Sequence, residues 1–61
     1  MSIYEKIDKH LKQHEAYKPY CEWTLDRIAD YIDWAWKFRK ITEQQKDEVC
    51  NRIITLFESE V

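Results

Sequence analysis

His10 and His14 stand four residues apart, and on a helix that spacing aims both imidazoles from one face, an arrangement in which two histidines share a metal ion. Cys21 and Cys50, the only thiols, would bring the set to four ligands of suitable type. Zinc sites built on cysteine usually carry two of them a few residues apart, whereas here the two are distant and nothing in the sequence draws them together. We therefore expect no metal and no cofactor. The cysteines are read as buried free thiols, and the histidines as lining the core edge, bonded to backbone or water. A small secreted domain that relied on disulfides would carry more cysteines.

Two other groupings point outward. Glu22, Asp26, Asp30 and Asp33 form a row of carboxylates along one side of a helix. Such a row can imitate the charge spacing of a nucleic-acid backbone and fill the basic groove of an enzyme that acts on nucleic acid, such as a defence nuclease. Its plainer role is a solvated face with Asp33 paired to Lys37 at i, i+4; Lys37 and Lys40 also shorten the acidic surface. On a different side lie Tyr31, Trp34 and Phe38 with Arg27, residue types enriched in protein interfaces and their hot spots. This is the expected partner-binding surface, for another protein or for a second copy, with Trp34 at its exposed outer limit. Catalysis is not expected. No nucleophile, base and orienter form a set, no glycine is present to build a phosphate-cradling loop, and a core this small leaves little room for a pocket.

A chain of 61 residues is a single domain, spanning 1–61, at a size that buries only about 60% of the surface its unfolded form exposes. Nine aromatic residues, three of them tryptophan, compensate by bulk. Ten basic against twelve acidic side chains give a net charge of -2, which argues against direct binding to nucleic acid or to anionic membrane. A helix-turn-helix reading of the last two helices fails for the same reason, because Glu43, Asp47 and Glu48 would face phosphates even though Gln44 and Gln45 suit adenine. With no long apolar run, neither a membrane span nor a signal peptide is expected, and the protein reads as soluble and cytoplasmic.

The absence of glycine and the single proline, Pro19, remove most hairpin chemistry and leave an all-α fold, a small three-helix bundle. The spacing predicts helices over about residues 3–16, 25–40 and 43–59. Ser2 with Glu5 and Thr42 with Gln45 are capping-box pairs, Thr24 is an N-cap, and Lys18-Pro19 ends the first helix. The first helix has a thin buried face of Ile3, Ile7, His10, Leu11 and His14. The third has a broad one of Val49, Cys50, Ile53, Ile54, Leu56 and Phe57. The ring-rich segment from Tyr17 to Trp23 should fold back to plug one end of the core.

The second helix carries two apolar stripes. Leu25, Ile28, Ala29, Ile32, Ala35 and Trp36 form the first, assigned to the bundle core; Tyr31, Trp34, Phe38 and Ile41 form the second, roughly 100 to 150° further round. Tyr31 is expected to tuck under the first helix or the aromatic loop. Trp34, Phe38 and Arg27 then become the residues whose burial decides between stability and docking.

The block from Tyr17 to Arg27, Tyr-Lys-Pro-Tyr-Cys-Glu-Trp-Thr-Leu-Asp-Arg, followed by Tyr31-Ile32-Asp33-Trp34, resembles short proteins carried by bacterial phages and other mobile elements. The resemblance implies a setting rather than an activity: accessory proteins there often bind and redirect a host or competitor protein. It supplies no catalytic residues.

Overall fold

In the computed structural model, which describes residues 2–16 and 21–59, helix α1 runs Ile3–Glu15, α2 Leu25–Lys37 and α3 Glu43–Ser59. Each helix packs on the other two, and no strand is present among the described residues. The chain is an all-α three-helix bundle.

The helix starts follow from local chemistry. Ser2 Oγ accepts the N–H of Glu5 at 3.1 Å, and Thr24 Oγ1 accepts the N–H of Arg27 at 3.2 Å. At α3 the capping box is reciprocal: Gln45 N–H donates to Thr42 Oγ1 at 3.1 Å while Thr42 N–H donates to Gln45 Oε1 at 3.0 Å. Each such cap satisfies donors that the first turn leaves unpaired, at about 1 kcal/mol. α1 closes at Ala16, whose N–H reaches the Lys12 carbonyl at 2.9 Å. Lys18-Pro19, the expected stop, lies outside the described residues.

α2 ends at Lys37, short of the predicted residue 40. Arg39 N–H donates to the Trp36 carbonyl at 3.1 Å and Lys40 N–H to the Ala35 carbonyl at 2.7 Å. This pair of crossed bonds closes a helix whose next residue is left-handed, and Arg39 has φ 54°. The charges of Arg39 and Lys40 therefore sit in the corner beyond α2. The same reversal turns Ile41 inward: predicted on the outer stripe, it is buried in the core because it no longer lies on the helix.

Ile7, Leu11, Leu25, Ile28, Ile32, Ala35, Ile41, Val49 and Ile53 make the core. A fully buried aliphatic side chain of this kind contributes about 1.5–3 kcal/mol. Two further sequence expectations are corrected. Trp36, assigned to the core, is 37% exposed at the rim facing α3, with Lys46 Nζ 5.3 Å from its ring centroid. On α3 only Val49 and Ile53 are buried; Cys50 and Leu56 pack partly, and Ile54 and Phe57 are 53% and 38% exposed. The six apolar residues of α3 span an arc of roughly 160°, wider than two neighbouring helices cover.

Polar links tie α1 to α3. Arg52 Nη1 donates to Asp8 at 2.6 Å, while its Nε and Nη2 donate to the two oxygens of Glu15 at 3.0 and 2.7 Å. Tyr4 Oη donates to Glu48 at 2.6 Å further along the seam. Burial alone would raise Asp8, but the hydrogen bonds and charges of Arg52 and Lys12 outweigh it and hold the carboxyl below its ordinary range. Glu15 is lowered chiefly by the Arg52 hydrogen bond, and Arg52 is pushed up by the same contact. A forked guanidinium between two carboxylates is the strong form of an ion pair.

Candidate functional site

Trp23, just before α2, is the residue on which the surface is built. Its ring stacks on His10 of α1 at 4.0 Å between centroids with planes 9° apart, and its carbonyl lies 2.7 Å from His14 Nε2. Glu22 is fastened beside it: its N–H donates to Gln13 Oε1, its carboxylate accepts from Gln13 Nε2, and Lys9 is 3.7 Å away. The Gln13 hydrogen bond, then Lys9, lowers the Glu22 carboxyl. Glu22 and Trp23 are thus pinned to α1; Tyr17 to Tyr20, the larger part of the segment expected to plug the core, lie outside the described residues.

From Trp23 the rings continue outward. Trp23 meets Tyr31 edge-on at 5.1 Å, Tyr31 stacks on Trp34 at 5.4 Å, and Trp34 meets Phe38 at 5.8 Å. Each contact falls in the range where aromatic pairs attract, worth about 0.5–1.5 kcal/mol beyond burial. Burial declines steadily along the ladder: His10 is 3% exposed, Tyr31 half-buried, Trp34 41% and Phe38 64% exposed. Two cations lie over the inner rings. Lys6 Nζ is 5.3 Å from Trp23 and 5.5 Å from Tyr31, and the Arg27 guanidinium is 4.8 Å from Trp23. Neither cation has a carboxylate partner among the described residues. A shallow hollow of about 420 Å³ opens there, lined by Lys6, Trp23, Arg27, Asp30, Tyr31 and Trp34.

The structure therefore brings Arg27, Tyr31, Trp34 and Phe38 together on one edge, with Tyr31 tucked toward the core and the other three exposed. Sequence reasoning missed Lys6 and the ring of His10 as parts of the same surface. Their join is tertiary, and the trace in the chain is the i, i+4 spacing of Lys6 and His10, which puts them on one side of α1 at the margin of its apolar face.

The acidic row is less continuous than its spacing. Asp33 is paired with Lys37 at 3.0 Å and Glu22 with Lys9 and Gln13, while Asp26 and Asp30 are exposed carboxylates without an ion pair among the described residues. Asp30 belongs as much to the aromatic hollow as to the row. His10 and His14 both serve Trp23. Burial pushes the His10 imidazole below its ordinary value, opposed by Glu22, and its Nδ1 has no hydrogen-bond partner among the described residues. Cys21 and Cys50 are half-buried rather than buried, and no disulfide joins them. Among the described residues no group of three or more His, Cys, Asp or Glu is placed to hold a metal ion, and no helix is long and apolar enough to cross a membrane. Compared with known proteins, the chain matches no family model, no curated protein and no solved structure.

Proposed function

We propose that this protein is a non-catalytic helical binding module that docks another polypeptide on the Arg27–Tyr31–Trp34–Phe38 edge, and that it works in the cytoplasm as an accessory protein of a phage or mobile element. One observation carries the docking reading: the ring ladder does not stop at the core but runs out to Trp34 and Phe38, and the two cations over its inner rings have no carboxylate partner among the described residues. A rigid aromatic surface rooted in the core loses little entropy on binding, which is what makes such residues effective anchors. The acidic row supports nucleic-acid mimicry less well, since two of its four members are already paired within the chain.

A photo-crosslinking side chain in place of Phe38, used in whole cells, is expected to trap one discrete adduct that the Arg27→Glu background loses. The same group in place of exposed Lys12, on the outer side of α1, is expected to trap none. No adduct from position 38, or the same adduct from both positions, would overturn the docking reading.

A further inference from the structure

α2 has a second exposed apolar edge, and it carries the opposite charge. Tyr31 and Trp36 lie about 70° to either side of the buried face of α2. The first borders α1, where Lys6 covers it, and the second borders α3, where Lys46 covers it. Along α3 the second edge continues through Cys50, Ile54 and Phe57. Glu43, Asp47 and Glu58 share that line at helical spacing, all exposed and none with a cation partner among the described residues. One flank of the bundle thus presents rings with Lys6 and Arg27 and a single carboxylate, Asp30; the other presents Ile54 and Phe57 among Glu43, Asp47 and Glu58, with Lys46 over Trp36.

We propose that these two flanks are counterparts, so that the aromatic edge of one molecule receives the acidic α3 edge of a second copy in a head-to-tail contact. This rests on the docking reading above and names the occupant. Charge complementarity carries the choice: two cations against one carboxylate beside the rings of the first flank meet three carboxylates against one cation beside the apolar side chains of the second, and neither those two cations nor those three carboxylates have an ion-pair partner among the described residues. Space permits both contacts at once, because a standard interface takes about 800 Å² from each partner, and the molecule has 4547 Å² of surface. The two flanks differ, so the contact is heterologous and leaves one flank of each kind open, and association continues beyond a dimer unless the rotation closes a ring.

Sedimentation equilibrium tests it with residues exposed enough to leave the fold intact. The wild-type mass is expected to rise above 7.6 kDa with concentration, and to fall back as salt is added. Variant Arg27→Glu/Phe38→Ser, with only its α3 edge intact, and variant Asp47→Lys/Ile54→Ser, with only its aromatic edge intact, are each expected to stay monomeric. Mixed in equal amounts they are expected to form a species of twice the monomer mass and nothing larger. A wild type that stays at 7.6 kDa, an Asp47→Lys/Ile54→Ser variant that still associates, or a mixture that stays monomeric would each overturn the head-to-tail contact. None of these results touches the docking reading itself, which stands or falls on whether position 38 traps a polypeptide; an adduct whose mass is not a whole number of copies identifies a foreign occupant and overturns the second copy as the partner.

Discussion

The two seams of α1 are built from different chemistry and face in different directions. Against α3, α1 uses paired charges and hydroxyls: Arg52 answers Asp8 and Glu15, and Tyr4 answers Glu48. Each of these groups finds its complement inside the chain, so the seam locks α3 in register and offers little to a partner. Against α2, α1 uses rings, from His10 through Trp23 to Tyr31, and this stacking has no natural end. Every ring has a further face, and the series passes to Trp34 and Phe38 at the surface. A polar seam saturates, whereas an aromatic one propagates; that difference turns one flank into scaffold and the other into a candidate site.

Three substitutions break or sharpen the contrast. Trp23→Ala should have the largest effect, about 3 kcal/mol of stability, because it removes the ring that joins α1 to α2 and strips cover from His10. Thermal melts followed by far-ultraviolet circular dichroism will show it, and a loss under about 1 kcal/mol would mean that the ring ladder is ornament on an independent core.

Arg52→Met comes next, at about 1–2 kcal/mol, since it takes the guanidinium from half-buried Asp8, which keeps Lys12, and from Glu15 at the surface. It should also change the acid limb. In the wild type both carboxyls hold protons less tightly folded than unfolded, so the unfolded chain takes up more protons in acid. Stability from this seam is complete above the ordinary values of 3.8 and 4.5, and is lost as pH falls through the lower folded values. The variant should show a smaller acid-dependent loss, with Lys12 still holding Asp8 down; identical acid limbs in denaturant titrations from pH 2 to 6 would show that the seam is not electrostatic.

Phe38→Ser should do least to the fold, within about 0.5 kcal/mol, because the ring is mostly exposed and, among the described residues, its one aromatic neighbour is Trp34 at the end of the ladder. A larger drop in melting temperature would place Phe38 among the structural residues and move the boundary of the docking edge inward to Trp34.

The fold was legible in the sequence because its signals are local. Caps at Ser2, Thr24 and Thr42 and the 3.6-residue spacing of Ile28, Ile32 and Ala35 need no knowledge of neighbours. The candidate site was legible in part: Tyr31, Trp34 and Phe38 share a side of α2 by spacing alone. Misassignments arose where placement depends on what lies opposite. Trp36 continues the stripe of Ile28 and Ile32 yet sits at its margin, where α3 offers Lys46 rather than apolar cover. Ile41 seemed to extend the outer stripe because nothing marked the end of α2; the residue in the left-handed position there is arginine, where glycine or asparagine is the usual sign.

That arginine has a consequence for the unfolded chain. With no glycine anywhere, every residue carries a Cβ, so the disordered ensemble visits fewer conformations and less freedom is lost on ordering. For a core of nine buried side chains this is a contribution made before any contact forms. Among the described residues its cost falls at one place, Arg39 with φ 54°, at about 1 kcal/mol. The corner after α2 thus carries the backbone strain that a glycine there would relieve, set against an unfolded state restricted along the whole chain.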